Sequence, residues 1–389
     1  MGKLNWGMKA CGIFLLWAGT AVALPAGTLT TLHPFAGAPG DGANPYAGLI
    51  QVGALFYGTT TTGGLYNEGM VFSMTAAGAV TPLYNFCPVA GCADGANPYG
   101  GLTMVGGDFF GTTYAGGANN LGTIFKLSLL PTPLYSFTGV GPDGANPVGG
   151  LILASNNYFY GTASNGGTSG DGMIFKVGHI ATYPYTPLTS FNGTNGANPM
   201  AALLQVGTST PPTLYGTTLN GGAHGVGAVF EYHAGVTVLH SFDVTDGDLP
   251  YAPLVGTKIL YGTTSEGGTG GYGTVFSITL SGTLTTLHNF NGVGADGRFS
   301  YAGLLLDGTH LIGTTTGGGL NLTGTIFTIT TSGSGFTTIE NFAGFPTNGG
   351  RPTAGLILDG TFLYGTTFYG GSSSNCSLGC GTTFKWGPI

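Results

Sequence analysis

Seven copies of one short segment organise the chain. Segments related to Phe-Tyr-Gly-Thr-Thr place their central glycine 46 to 55 residues apart and extend over almost the whole sequence. These glycines are Gly58, Gly111, Gly161, Gly216, Gly262, Gly313 and Gly365. A period of about fifty residues is typical of β-propeller blades, whereas the coils of short solenoids repeat at smaller intervals. The repeat therefore favours a ring of similar units.

The composition is consistent with an ordered β protein. Glycine accounts for 77 of the 389 residues, which on its own would suggest a low-complexity chain. The 24 Phe and 19 Tyr argue against that, because disordered chains are poor in aromatic residues. Charged residues make up only 6%, too few for the exposed faces of coiled coils and most helical bundles. The net charge of −7, without a basic cluster, argues against a nucleic-acid partner.

Each unit divides into four short runs with the properties of β-strands. In the first unit they are residues 47–52, 55–60, 69–75 and 80–86, rich in β-branched and aromatic residues and bounded by turn formers. A Leu follows the turn Asp or Asn by eight residues in every unit, and mostly small residues precede it, as in Ala47-Gly48. Large side chains would not fit where seven blades converge. The first run is therefore predicted to be the innermost strand.

The two ends of the chain complement each other. The seventh unit ends after its third strand, while residues 28–35 form an orphan fourth strand before the first unit. Pairing of the two would close the ring and leave only short, protected edges. The predicted fold is thus all-β, a seven-bladed β-propeller of four-stranded blades, closed by the N-terminal strand that completes the last blade. Residues 24–389 form this single domain, with a repeat period of about 51 residues.

The N-terminus has the pattern of a secretory signal peptide, residues 1–23. Lys3 and Lys9 precede an apolar run at 10–18, and a small-x-small cleavage site ends at Ala23. The apolar run is too short to span a bilayer, so the mature chain is expected to have no membrane span. A retained signal anchor is the alternative. We therefore expect a secreted or cell-surface protein.

Four cysteines would remain after cleavage near Ala23. They form two close pairs, Cys87 with Cys92 and Cys376 with Cys380. In an exported chain such pairs are predicted to form local disulfides. A four-Cys zinc site, the alternative, would have to bring together two pairs that are far apart in the sequence.

The repeat motifs resemble a known family. The pattern DGANP-x-AGL, then LYGTT-x-x-GG, then a strand such as GTIFK and a strand such as LYSF is similar to the GloVer tandem-repeat (choice-of-anchor) family of exported bacterial proteins. The resemblance extends over roughly residues 28 to 386 and seven units. It implies export and a repeat architecture. It implies no catalytic residues.

A series of tyrosines forms the first candidate site. Five residues after the turn Asp or Asn, at the start of the inner strand, the chain carries Tyr46, Tyr99, Tyr251 and Tyr301. In a propeller this place lies near one mouth of the central channel, where tyrosines could stack on a sugar or hold a peptide. Packing between neighbouring blades is the alternative, since Val148, Met200 and Thr353 occupy the same place in the other units.

Acidic and histidine residues are interpreted mainly as structural. The Asp or Asn of each DGANP-like turn is typical of turns in which the side chain binds its own backbone. Only Asp243, Asp246 and Asp248 are close enough in sequence to keep a calcium site open. His33, His240 and His288 share a place on the fourth strand with Tyr84, Tyr135, Thr189 and Glu340. Such variety predicts an exposed or rim position and no catalytic base.

No catalytic signature and no cofactor motif was found in the sequence. We therefore expect a non-catalytic binding or surface-display module for an extracellular glycan or protein. Two alternatives remain open at this point. One is an extracellular polysaccharide lyase or hydrolase that uses the same channel mouth, and the other is a structural protein of the cell envelope or matrix.

Overall fold

The computed structural model describes residues 27–128, 130–179 and 182–389. The predicted signal peptide, residues 1–23, lies outside this part of the chain. All regular structure in the described residues is β, and its main sheets are seven antiparallel sheets of four strands. The prediction of an all-β seven-bladed propeller is confirmed.

The blades follow one another along the chain, and within each blade the strands run in sheet order from the channel outward. Blade 1 contains Ile50–Val52, Leu55–Thr60, Met70–Thr75 and Val80–Asn85; blade 2 contains Thr103–Val105, Asp108–Thr113, Thr123–Leu127 and Pro131–Ser136; blade 3 contains Ile152–Leu153, Tyr158–Ala163, Met173–Gly178 and Tyr185–Ser190; blade 4 contains Leu204–Gln205, Leu214–Thr218, Ala228–Tyr232 and Val236–Ser241. Blade 5 contains Val255–Gly256, Ile259–Thr264, Thr274–Thr279 and Leu284–Asn289; blade 6 contains Leu305–Asp307, His310–Thr315, Thr325–Thr330 and Thr337–Asn341; blade 7 contains Ile357–Asp359, Phe362–Thr367, Thr382–Gly387 and the N-terminal Thr28–Pro34.

The N-terminal strand completes the last blade, as predicted. Thr28–Pro34 pairs antiparallel with Thr382–Gly387, in a register that begins with Thr28 opposite Gly387. The contact across this seam resembles those elsewhere in the ring. Thr366 Oγ1 donates to the Ala47 carbonyl of blade 1 at 3.4 Å, just as Thr59 Oγ1 of blade 1 donates to the Gly100 carbonyl at 3.4 Å.

The innermost strands are shorter than predicted. The sequence suggests residues 47–52 for blade 1, but the paired strand is only Ile50–Val52. The residues before Ile50 approach the neighbouring blade instead. A Cβ on Gly48, for example, would lie only 3.2 Å from the carbonyl oxygen of Gly355. The small residues before the Leu therefore allow the blades to converge at the channel.

Pairs of phenylalanines join adjacent blades. The Phe that follows each fourth strand is fully buried and meets, edge to face, the Phe on the third strand of the next blade. Phe86 and Phe125, for example, have ring centroids 5.2 Å apart. The repeated glycine makes room for this core, since a Cβ at Gly58 would lie 2.8 Å from both Leu49 and Phe72. Aromatic packing of this kind stabilises cores beyond the area that it buries.

The DGANP turns and the loops between the second and third strands lie on one face, which we call the turn face. Short ribbons show this directly, for example Gly42–Ala43 paired with Thr62–Gly63. Both predicted disulfides, Cys87–Cys92 and Cys376–Cys380, are present in loops of this face. Within the described ranges there is no helix long and apolar enough to cross a membrane.

Candidate functional site

The four predicted tyrosines come together at the channel mouth on the turn face. Tyr46, Tyr99, Tyr251 and Tyr301, which we call the tyrosine cluster, are all half-buried. Tyr46 meets Tyr99 edge to face at 4.9 Å, and Tyr251 meets Tyr301 at 5.3 Å. Tyr46 also lies 6.4 Å from Tyr251, although the two belong to non-adjacent blades. The rings therefore contact one another across the channel, so inter-ring packing explains part of their burial.

A cavity of about 360 Å³ in the channel adjoins the tyrosine cluster. Its remaining wall consists largely of small residues that precede the innermost strands, such as Gly101, Gly150 and Ala201. Burial raises the pKa of Tyr46 far above its ordinary value, and the nearby tyrosine hydroxyls raise it further. Burial also raises the pKa of Tyr99 and of Tyr251. The mouth is thus an aromatic surface whose hydroxyls stay neutral at physiological pH.

Tyr301 differs from the other three because charged residues lie close to it. Burial raises its pKa, the carboxylate of Glu266 raises it further, and the guanidinium of Arg351 lowers it. Tyr301 therefore marks the point where the tyrosine cluster meets charged residues of blades 5 and 7.

A second pocket opens beside the tyrosine cluster, with a volume of about 450 Å³. We call it the arginine pocket. It is lined by residues of blades 6, 7 and 1, namely Tyr46, Arg298, Phe299, Tyr301, Thr316, Gly317, Leu322, Arg351, Thr353, Phe368 and Tyr369. Both arginines of the whole sequence are among them, and no carboxylate is. The pocket thus combines two permanent positive charges with several aromatic rings.

The two guanidinium groups lie over aromatic rings. Arg351 lies 5.3 Å from the ring centre of Tyr369, and Arg298 lies 5.4 Å from that of Phe299. Of the four ion pairs found in the described residues, none involves either arginine. Arg298 Nε is buried and has no hydrogen-bond partner among the described residues. Its N–H is therefore a donor without an acceptor.

The arginine pocket was missed at the sequence level, although the repeat contained a signal. In the first four units the turn Asp or Asn is followed by Gly-Ala-Asn-Pro, whereas the sixth and seventh read Gly-Arg-Phe-Ser and Gly-Gly-Arg-Pro. The Asn amide of the first four units donates to a carbonyl of the preceding blade, as Asn97 does to Thr61 at 2.9 Å. Phe299 and Arg351 replace this Asn where the pocket lies.

The turn carboxylates have structural partners. Asp41 accepts from the backbone N–H groups of Ala36 and Gly42 and is 3.0 Å from the His33 ring. Although burial opposes it, these hydrogen bonds lower the pKa of Asp41 below its usual range. The place shared by His33, His240 and His288 was predicted to be an exposed or rim position. It is instead half-buried, because it binds the turn carboxylate.

The three aspartates of the candidate calcium site, Asp243, Asp246 and Asp248, differ in their contacts. Asp246 lies 2.7 Å from the His240 ring, while Asp243 accepts from the backbone N–H of Thr245. One carboxylate oxygen of Asp248 is buried without a partner among the described residues. Burial and the neighbouring Glu266 raise the pKa of Asp248. In the described part of the chain, no group of three or more His, Cys, Asp or Glu is placed to hold a metal ion.

The repeat has a family counterpart. The model of the Gloeobacter/Verrucomicrobia repeat matches residues 17–140, 130–259 and 256–388. The chain belongs to the Gloeobacter/Verrucomicrobia repeat family. Its three matches together extend over all seven blades of this Gloeobacter/Verrucomicrobia repeat protein. No curated protein matches the sequence.

Solved structures resemble this Gloeobacter/Verrucomicrobia repeat protein in fold. An ancestral GH74 enzyme is 12% identical with a TM-score of 0.57, and the match extends over 89% of this chain and 48% of that chain. The chain therefore spans about half the length of that enzyme. A protein provisionally assigned as a 6-phosphogluconolactonase, from Bacteroides fragilis NCTC 9343, is 17% identical with a TM-score of 0.50, over 81% and 87% of the two chains. Identities this low show similarity of fold alone.

Proposed function

We propose that this propeller is an exported, non-catalytic binding module that recognises an extracellular glycan or protein through the channel mouth on the turn face. The observation that carries the proposal is the convergence of Tyr46, Tyr99, Tyr251 and Tyr301 at that mouth. Tyrosine rings have an apolar body and a polar edge, which suits the faces and hydroxyls of sugars as well as peptide groups.

The surroundings of the tyrosine cluster support a binding role. The rings pack on one another and are half-buried, so little rotamer entropy remains to be lost when a ligand is ordered. The adjoining arginine pocket, at about 450 Å³, lies within the usual range for small-ligand sites. Two predicted disulfides in loops of this face are consistent with an extracellular setting.

The test is binding of the mature protein to an array of extracellular glycans, followed by titration of the best ligand in solution. The variants are Tyr99→Ala and Tyr301→Ala. Tyr158→Ala is the matched control, because Tyr158 begins the second strand of blade 3 at the end remote from the turn face. We expect the two cluster variants to weaken binding at least tenfold and the control to leave it unchanged. Unchanged binding by both cluster variants would refute a role of the channel mouth.

A hydrolase is the second candidate, and one observation favours it. Asp248, whose pKa is raised, lies near Glu266, and Glu266 lies near Tyr301 of the cluster. Glycoside hydrolysis uses two carboxyl groups in different environments, and a raised pKa suits the one that acts as the general acid. Release of new reducing ends from a bound polysaccharide, abolished by Glu266→Gln with binding retained, would establish this candidate. Stable binding without product favours the binding module.

A further inference from the structure

The geometry points to an acidic sugar as the ligand of the arginine pocket. We propose that this pocket binds a uronate residue of an extracellular polysaccharide, with the sugar carboxylate between Arg298 and Arg351. The inference rests on the proposed function, because it names the ligand chemistry of the same channel mouth. It goes beyond the tyrosine cluster, since neutral tyrosines alone carry no preference for charge.

The charge of the pocket favours an acidic ligand. The sequence contains two arginines, and both line this one pocket in the absence of any lining carboxylate. A guanidinium presents several N–H groups in a planar fork that matches a carboxylate, and stacking on a ring leaves that edge free. Arg298 Nε is already buried without a partner among the described residues. Buried donors without a partner are uncommon in folded proteins, and this one is available to an acceptor bound in the pocket.

One position of the repeat has a strained backbone. The residue three positions after the turn Asp or Asn has a positive φ in every unit, for example 54° at Asn97. Asn tolerates this left-handed conformation better than other non-glycine residues do. Arg351 (φ 53°) and Phe299 (φ 60°) adopt it nevertheless. Leu249 adopts it as well but does not line the pocket, so two of the three replacements of this Asn meet there. Strained backbone of this kind is concentrated at functional sites, which fits the two replacements that line the pocket.

The aromatic wall of the pocket favours a sugar over a simple anion. Tyr301, Phe368 and Tyr369 line the pocket together with the arginines. Leu322, which is 60% exposed, adds an apolar side chain to the same lining. A free phosphate or sulfate would make no use of such rings, whereas a pyranose has an apolar face that can stack on them. A uronate combines both features in one residue.

Binding is to be measured by titration calorimetry in 150 mM salt, with trimers of galacturonate, mannuronate and guluronate and with neutral galactotriose and mannotriose. We expect at least one uronate trimer to bind with a Kd below about 1 mM, and both neutral trimers to bind at least tenfold more weakly. Binding of the uronate is expected to weaken as salt rises, because part of the attraction is electrostatic. Inorganic sulfate and phosphate are tested alone.

Each variant introduces the residue that other repeat units have at the same position. Arg351→Asn and Arg298→Ala are each expected to weaken uronate binding about ten- to hundredfold and to leave neutral sugars unaffected. Leu249→Asn is the matched control, because Leu249 holds the same strained place in the fifth unit (φ 54°) but does not line the pocket. Thermal denaturation verifies that each variant is folded.

The outcomes separate this inference from the proposed function. Loss of uronate binding in both arginine variants, with binding by the control retained, supports it. Equal binding of neutral and acidic trimers, or uronate binding unaffected by Arg351→Asn, overturns it. If Tyr301→Ala then abolishes the remaining binding, the proposed function survives. Inorganic anions that bind as tightly as the uronate, or an acidic peptide that binds while no trimer does, also overturn the uronate assignment.

Discussion

Closure of the ring can be tested by removing one aromatic ring from its seam. Phe35 follows the N-terminal strand, is fully buried, and packs edge to face on Phe72 of blade 1 at 5.4 Å. Truncation of a buried Phe to Ala costs about 3–5 kcal/mol of unfolding free energy, and an aromatic pair adds about 0.5–1.5 kcal/mol to area burial alone. We therefore expect Phe35→Ala to destabilise the protein by about 4 kcal/mol.

The matched control is Phe191→Ala, at an interface inside the chain. Phe191 is equally buried and meets Phe230 edge to face at 5.2 Å. If the seam is packed like the other blade interfaces, the two variants should agree within about 1 kcal/mol. A cost below about 1 kcal/mol for Phe35→Ala, with the full cost for Phe191→Ala, would refute closure by the N-terminal strand.

Equilibrium urea unfolding measures both variants, with circular dichroism for the whole ring and fluorescence for the seam. Trp386 is the only Trp after residue 23, is 3% exposed, and pairs with Leu29 of the N-terminal strand. Its emission therefore reports locally on the seam. We expect the two signals to change together in the wild type, because the seam resembles the other interfaces.

Substitutions at three other places of the repeat have expected effects on stability. Gly58→Ala should destabilise the protein by about 2 kcal/mol or more in urea unfolding, because the new Cβ would meet Leu49 and Phe72 at 2.8 Å; a neutral effect would contradict the close approach. Burial raises the pKa of Asp143, but hydrogen bonds from Thr138, Tyr185 and Tyr135 outweigh it and lower the pKa below 3.8. The stabilisation that ionised Asp143 gives the fold is therefore present above pH 3.8 and is lost as the pH falls through the lower pKa of the folded state. Asp143→Asn should flatten the acid part of the stability profile, measured as the urea midpoint between pH 6 and pH 3, and an unchanged profile would count against these bonds. Leu249→Asn should raise stability by about 1 kcal/mol, because Asn relieves the left-handed strain, and a lower melting temperature would contradict this.

The ring was predictable because every unit repeats the same constraints. The seven glycines and the matched Leu places set the strand order, and the orphan strand at 28–35 left only one partner without a fourth strand. The length of the innermost strand was not predictable in the same way. It depends on how closely Gly48 approaches Gly355 in another blade, which local sequence does not determine.

The partners of the turn carboxylates were visible in the sequence but were interpreted differently. A His or Tyr on the preceding fourth strand faces each turn Asp, whereas Thr189 and Glu340 precede the two turn Asn residues. The variety at this place therefore follows the charge of the turn. Recognising that relation requires knowing that the fourth strand of one blade lies beside the turn of the next.

The candidate site was predicted in part. Tyr46 and Tyr301 occupy the same position in their repeat units, which predicts that they lie at one mouth of the channel. The structure brings the tyrosines together there. Their mutual packing depends on side-chain orientation and does not follow from spacing. Prediction of the arginine pocket would have depended on the positions at which a single unit departs from the common pattern of the repeat. Arg298 and Arg351 are such departures.

A crystal structure of the protein with a bound uronate trimer would test the binding site most directly. We predict electron density for the sugar on the turn face, with one carboxylate within hydrogen-bonding distance of both Arg298 and Arg351 and a pyranose ring against Tyr301 or Tyr369. Density for the sugar on the opposite face, or on the turn face without contact to either arginine, would contradict the account.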